Sequence, residues 1–480
     1  MSRGLPRLLL LNVLVLQLLS SGVIFGWASL RLILERDGLY REKCNPTCDG
    51  RDNAFGLVYA VASSVQTFAS WPAGVLVDRA GPAVSNLVAG IFFVPGVVLL
   101  ALSDASNCDS TLLPACTLIG AGGCLTFMSS FSVSYFFPAS QATVLTADNC
   151  FFDASAVLFL VLEQLHRKGM PRRRLFLGYA VILIFLYVGV VYLWLVHRPQ
   201  LQAIQADIEN KPQGEAGDEE EPYNHFHRQP VRKQMRSMHF LLSAAFGCMH
   251  VFKSNTYLGS NKQLLESLGD GKANNHIYTT LFVASLPLSS IAIGPIGRLI
   301  GTLPFTSDTA CPDYRNRRWN LSSFHLVNNM SIVHSLCTLV PILQFQPVSF
   351  CVYTFYRAML YSLITTFNAR TFGPVTMGTI QGSVYSAAAM VNLLQYPALI
   401  GTNSLGNGDL SYLNACFGLL SMLLAVLISR HGSMEGRSRL QLMLQGKVVD
   451  SQGRIGAAEE EEEGKAAQNI PATVGAVISL

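Results

Sequence analysis

The chain has 480 residues, of which only 13% are charged and 50% are Ala, Val, Ile, Leu, Met, Phe, Trp, Tyr or Cys, whereas an ordinary soluble domain is about 25% charged. The formal net charge of +4 is small for this length and gives no support to nucleic-acid binding. The deficit of charge points to lipid.

Apolar stretches of roughly the 20 residues that a bilayer core requires begin near Leu8, Phe55, Ala83, Thr111, Ala142, Leu175, Met238, Ile277, Phe324, Val348, Val375 and Leu410. They make about twelve spans, with the fifth, seventh and ninth the weakest. Backbone in lipid must satisfy its own hydrogen bonds, so runs of this kind have to be helices, and the chain reads as an all-α membrane protein. The first run, preceded by Arg3 and Arg7, is too long for a signal-peptide core and lacks a small-x-small cleavage site. It reads as a retained first helix.

Behind it lies the polar loop "REKCNPTCDGRD". The eleven cysteines fall mostly inside spans, where they read as small apolar fillers. Cys44 and Cys48 are the exception. If their loop is extracellular, the alternatives are a bridge to each other, a bridge to Cys108, or free thiols. The second span ends in "GVLVDRAG", Gly74 to Gly81, an adjacent acid and base inside a glycine frame. In the fourth span, Gly120, Gly122 and Gly123 of "LIGAGG" read as packing residues and not as a phosphate loop, because no GK[ST] follows.

Ionisable groups inside spans are costly and suggest function by default. The fifth span holds Asp148, Asp153 and Glu163. Asp148 and Glu163 are expected at the interfaces. Asp153 is deep, shares its face with Asn149 one turn earlier, and needs a donor or a proton.

Residues 198–236 read as a polar linker between an N-terminal half, 1–197, and a C-terminal half, 237–431, of six spans each. Residues 432–480, with "AAEEEEEGKAAQ", read as a disordered tail. An echo of "GVLVDRAG" occurs as "GPIGRLIG", Gly294 to Gly301, with Arg298 in the place of Asp78. It supports an internal duplication.

In the seventh span His250 and Lys253 form an i, i+3 pair, with Lys253 expected to snorkel to the outer interface. In the tenth, Arg357 is the cation that Asp153 calls for, either as a structural pair holding the halves together or as a ligand contact. Gln17, Ser21, Ser129 and Gln395 lie at the depth where helices one, four and eleven cross the midplane. Each contacts solute or bonds to a neighbouring helix. Phe25, Trp27, Phe127, Phe152, Tyr353, Tyr356 and Tyr396 are candidate stacking residues. No HExxH, Walker or GxSxG constellation is present. No catalytic residue, metal site or cofactor is therefore expected, and a receptor or scaffold remains a rival to transport.

The G-x-x-x-D-R-x-G turn between helices two and three of a duplicated chain resembles the signature loop of the major facilitator superfamily. The resemblance implies a tight cytoplasmic turn at Gly74 and Gly81 and places Asp78, beside Arg79, at the start of helix three. It further implies that Asp78 latches onto the second half near helix eleven, with Arg370 a candidate partner. The stretches "FGWASLRLILERDGLY", "FFDASAVLFLVLEQLHRKG", "YRAMLYS" and "LLQYPAL" are similar to one family within it, solute carrier family 43. That likeness implies a facilitative, sodium-independent, monomeric carrier of the plasma membrane with both termini cytoplasmic. The charge rule alone does not give this orientation, because the basic "HRKGMPRRR" then falls outside.

"FDAS" and an aromatic before Pro397 look more like the branch that moves purine nucleobases such as adenine, guanine and hypoxanthine. The alternative is a carrier of large neutral amino acids such as leucine, phenylalanine and methionine, and a third reading is proton symport through Asp153. The expected substrate contacts are Gln17, Ser21, Ser129, Asn149, Phe152, Asp153, His250, Arg357, Tyr361 and Gln395.

Overall fold

A computed structural model describes residues 5–43, 49–104, 108–210, 229–270, 277–302, 312–395, 412–426, 447–449 and 455–457. Cys44 and Cys48, the side chain of Cys108, and Tyr396 and Pro397 lie outside the described set, and with them the disulfide expectation.

Among the described residues the first half makes six helical crossings. The first is α1 (Leu5–Ser20) and α2 (Trp27–Arg36), joined by a 3-10 turn at Val23–Gly26. The second and third share α3 (Asp49–Phe68) and α4 (Ser70–Leu102). The 50 residues Asn53–Leu102 are predominantly apolar, and at 1.5 Å per residue they would measure about 75 Å, more than twice the ~30 Å bilayer core. The chain therefore has to turn back. It does so at Gly81, whose φ of +83° is open to glycine and strained for other residues. Pro82 follows as the first residue of the returning helix, a position where its missing N–H costs nothing.

The fourth crossing is α5 (Cys108–Ser130). The fifth is α6 (Gln141–Ala154) and α7 (Val157–Arg167), and the sixth is α8 (Arg172–Asn210), whose helix continues into the segment read as linker. On α8 the side chains sort by face: Phe185, Val188 and Tyr192 are exposed, whereas Leu183, Tyr187, Val190 and Trp194 are buried. The exposed stripe is the lipid face of a helix that is apolar all round.

The second half repeats the plan. Its crossings are α9 (Met238–Ser267), the pair α10 (Ile277–Ser285) and α11 (Ile293–Thr302), α12 (Pro312–Thr338), α13 (Gln346–Phe372), α14 (Met377–Asn392) and α15 (Tyr412–Val426). The eighth crossing is apolar enough to register by hydropathy, whereas α9, α12, α13 and α14 are diluted by buried polar side chains. Lys253 is one of these. It is 2% exposed and donates to Ser331 and Ser335 of α12, so it is bonded inside the half and does not snorkel. From Val426 onward the chain is a separate unit, in which the described residues are two short antiparallel strands, β1 (Lys447–Val449) and β2 (Ile455–Ala457).

The basic loop between crossings five and six is tied down by acids. Arg172 bonds Asp37 at 2.6 Å and the carbonyl of Leu100 at 2.6 Å. Glu163 takes Arg36 at 2.9 Å and Arg167 at 2.8 Å. Several of the bases that strain the charge rule are thus used to fasten helix ends together.

Two close crossings join the halves. In one, α4 meets α14: a Cβ on Gly74 would lie 1.9 Å from the carbonyl oxygen of Gly378, and one on Gly382 would lie 2.2 Å from that of Ser70. In the other, α6 meets α11, where a Cβ on Gly297 would lie 2.5 Å from the Cα of Thr143. If the two crossings are equivalent, Gly74 corresponds to Gly297 and not to Gly294. On that equivalence the register read from "GPIGRLIG" shifts by one helical turn, and Arg298, an exposed residue, is not the counterpart of Asp78.

Candidate functional site

The site is built where helices break. Crossing one is interrupted between Ser20 and Trp27, and crossing five between Ala154 and Val157. The two interruptions touch: the backbone N–H of Gly22 donates to Ser155 Oγ at 2.8 Å. Added Cβ atoms on Gly22 and Gly26 would lie 2.6 Å and 2.1 Å from the carbonyl oxygens of Phe152 and Ala156. The glycines of the first helix thus let its backbone lie against that of the fifth. In membrane proteins, discontinuous helices are a common place for ligand sites, because unwound backbone is tolerated where it lines a cavity. The "FGWAS" and "FFDAS" stretches are the sequences of these two breaks.

A cavity opens beside them, with about 660 Å³ of atom-free space, part of it open to solvent. The first half contributes Phe25, Gln66, Thr67, Ser70, Cys124, Phe127, Asn149, Phe152 and Asp153 to its lining. The second half contributes Val251, Asn255, Arg357, Tyr361, Tyr385, Ala388 and Ala389. Both halves therefore meet any occupant.

Asp153 and Arg357 face each other across the halves. Arg357 Nε lies 3.1 and 3.0 Å from the two carboxylate oxygens, and Nη2 lies 3.0 Å from Oδ1. Nη1 donates to Ser254 Oγ at 3.1 Å and Asn255 Oδ1 at 3.4 Å, and the guanidinium sits 4.9 Å from the centroid of the Tyr361 ring. This fork geometry is the strong form of an arginine–carboxylate pair. A second link between the halves runs from Asn149 Nδ2 to Thr365 Oγ1 at 3.1 Å.

Aromatic rings form the rest of the wall. Phe127 and Tyr385, one from each half, lie nearly parallel, with an interplanar angle of 10° and centroids 6.0 Å apart. Phe152 stands 4.3 Å from Phe127 and 5.8 Å from Phe25.

Of the residues expected to touch solute, Asn149, Phe152, Asp153, Arg357 and Tyr361 are in this lining. The others lie outside this lining. Gln17 is fully buried and donates to Ser130 Oγ at 2.6 Å. Ser21 bonds the carbonyl of Gln17, and Ser129 that of Thr126. His250 is buried against Phe246 and pairs with the Tyr356 hydroxyl at 2.9 Å, and Gln395 lies against Gly259. Tyr385, Asn255, Gln66 and Cys124 were not expected. Asn255 had a signal in the sequence, as a polar residue in the same span as Lys253 but on another face.

Below the cavity lies the α4–α14 crossing. Ser70, which lines the cavity, begins a stripe of Ser70, Gly74 and Asp78 that meets Gly378, Gly382 and Ser386. Asp78 Oδ1 accepts the N–H of Gly378 at 2.9 Å, and Oδ2 that of Thr379 at 2.6 Å. The first N–H groups of a helix have no partner within it, and the flanking Thr376 does not cap, since its hydroxyl donates back to Phe372.

Asp78 therefore caps helix eleven from the other half of the protein. It lies in the last turn of the second crossing, ahead of the kink at Gly81, and not at the start of helix three. The latch onto helix eleven is thus made with backbone. Gly74 serves the crossing, Gly81 alone makes the turn, and Arg79 points outward, exposed. Arg370 lies half-buried in the last turn of α13.

No protein-family model matches the chain. Equilibrative nucleobase transporter 1 of Bos taurus is 23% identical over 454 residues, 84% of this chain and 91% of that protein. The large neutral amino acids transporter small subunit 3 of Mus musculus is 23% identical over 546 residues, 92% of this chain and 95% of that one. Among solved structures, the major facilitator superfamily proton:xylose symporter XylE superposes with a TM-score of 0.59 at 14% identity, covering 86% of this chain and 94% of its own. The E. coli fucose:proton symporter FucP gives 0.52 at 13%, covering 87% and 98%. The fold is that of the major facilitator superfamily.

Proposed function

We infer that this chain, which has the major facilitator fold and is related along most of its length to the nucleobase and large neutral amino acid carriers of solute carrier family 43, is itself a carrier of small solutes. Its substrate is a purine nucleobase such as adenine, guanine or hypoxanthine. It moves that base down its gradient across the plasma membrane, without sodium and without covalent chemistry, as the two halves alternate around the cavity. Both termini then lie in the cytoplasm, on the side of the Gly81 turn.

The observation that carries this reading is the state of the charged pair. Asp153 and Arg357 already satisfy each other in a fork, so neither is free to neutralise the ammonium or carboxylate of an amino acid. What the lining offers besides is neutral: parallel aromatic faces at Phe127 and Tyr385, and the amide oxygens of Gln66 and Asn149, which have no hydrogen-bond partner among the described residues. A flat heterocycle needs faces to stack on and a few donors and acceptors at its edge.

The second reading, a carrier of leucine, phenylalanine or methionine, draws on the mouse relative that aligns over nearly its whole length. It requires the pair to open and offer its two charges separately. Uptake of radiolabelled adenine and of leucine in cells expressing the protein, each competed by the other, separates the two. Saturable adenine entry that leucine does not inhibit is expected. Saturable leucine entry without adenine entry would replace the first reading with the second.

A further inference from the structure

The acid that the sequence marks for a proton is Asp153, and the structure gives Asp153 to Arg357. The acid left over is Asp148. It was expected at an interface, yet it is wholly buried on α6, because the fifth crossing starts at Pro138 and runs to Arg167. Neither of its carboxylate oxygens has a hydrogen-bond partner.

The polar side chains within reach of it are Gln17 of α1 and Ser130 of α5, and among the described residues no lysine, arginine or histidine pairs with either carboxylate oxygen. The second half meets α6 elsewhere, where Asn149 reaches Thr365, Cys150 reaches Ser289, and Asp153 holds Arg357.

Counting donors leaves a deficit. Ser130 gives its one proton to the carbonyl of Phe127 at 2.7 Å. Gln17 gives one N–H to Ser130, so its second can serve a single carboxylate oxygen. The other oxygen of Asp148 and Oε1 of Gln17, itself buried and unpartnered, are acceptors with nothing to accept. A buried anion with no counter-charge is among the most costly arrangements a protein can hold, and one added proton removes both the charge and the shortage.

We propose that Asp148, with Gln17 and Ser130, is a built proton-binding site: Asp148 takes one proton from water and, as a carboxylic acid, donates it to the Gln17 amide oxygen. The bond ties crossings one, four and five together beneath the two helix breaks. α6 is also the helix that carries Asn149 and Asp153 to the second half, so the proton fixes the element on which the cavity hangs. The site is distinct from the cavity and does not depend on which solute the protein carries.

Infrared spectroscopy of the full chain in lipid nanodiscs tests this directly. At neutral pH the wild type should show the carbonyl stretch of a protonated carboxylic acid, shifted in heavy water, absent in Asp148→Asn and retained in Asp153→Asn. Gln17→Met should move the band without removing it, which keeps the test alive if Asp148→Asn fails to fold. A bound proton is lost as pH rises, so the wild-type melting temperature should fall toward alkaline pH while that of Asp148→Asn stays level. A wild type without the band, or a band that survives Asp148→Asn, overturns the proposal. So does a melting temperature that rises with sodium at fixed pH in the wild type alone, since the positive charge would then be a metal ion.

Discussion

Asp78 and Gly378 stand 300 positions apart in the chain and meet through a 2.9 Å hydrogen bond in which the backbone N–H of one helix donates to the carboxylate of another. With the neighbouring bond from Thr379, the second crossing caps the eleventh and holds the two halves together on the side of the Gly81 turn.

Replacing Asp78 with Asn leaves one acceptor oxygen where there were two and removes the charge that favours a helix N-terminus. Such a cap is worth about 1–2 kcal/mol, so the sealed state should lose roughly tenfold in relative population. Flux should slow while substrate affinity stays nearly intact, measured as the maximal rate against KM for uptake. Arg298→Asp, at an exposed position on α11, should have a smaller effect. Equal effects from the two changes would refute the assignment of the seal to Asp78.

Gly74→Ala puts a methyl group 1.9 Å from a backbone oxygen, which neither helix can absorb without moving apart. The variant should favour separation of α4 from α14 and reduce uptake by at least tenfold at normal surface expression. Gly178→Ala, on α8 with nothing within 4 Å of the added carbon, should be neutral. Reduced uptake in both variants would mean that the loss at Gly74 is a general effect of alanine and not of the crossing.

Breaking a buried ion pair from one side costs about 3–5 kcal/mol, whereas replacing both partners can be nearly neutral. Asp153→Asn or Arg357→Gln alone should lower the yield of folded protein, and the double variant should recover it. If the pair also contacts solute, the recovered double variant binds poorly, seen as a raised KM. A double variant with wild-type KM would make the pair a fastener only.

Tyr385→Leu removes one of two parallel plates. Stacking of a base on an aromatic ring is worth about 1–3 kcal/mol, so the KM for adenine should rise roughly tenfold or more, with any leucine uptake unchanged. Phe127→Leu should behave alike. A variant that loses adenine and leucine transport equally would point to collapse of the wall instead of loss of stacking.

The helical crossings were legible because long apolar runs in lipid have one structural solution. Asp153 and Arg357 were legible for the same reason, since a deep charge demands a partner. What could not be read was the facing of polar residues. Gln17, Ser21 and Ser129 have the right depth, but lipid and protein interior are both apolar, so hydropathy does not say which side of a helix looks into a cavity. Asp148 and Lys253 were misplaced in depth because apolar runs understate helices that begin or end in polar turns. That Asp78 caps a helix in the other half depends on a contact between helices distant in sequence, and no local pattern encodes it.

The two crossings between the halves differ in kind. At one, an acid seals a glycine contact through two hydrogen bonds that part when the helices separate. At the other, counting from the match of Gly74 to Gly297, the place of Asp78 falls to Gly301, and α6 is held along its length by Thr143, Cys150 and Asp153. Two bodies fastened this way should part first at crossings two and eleven, the bolt, while crossings five and eight hold as the hinge. Amide protons along the hinge should then exchange more slowly than those beside the bolt whenever the protein is turning over.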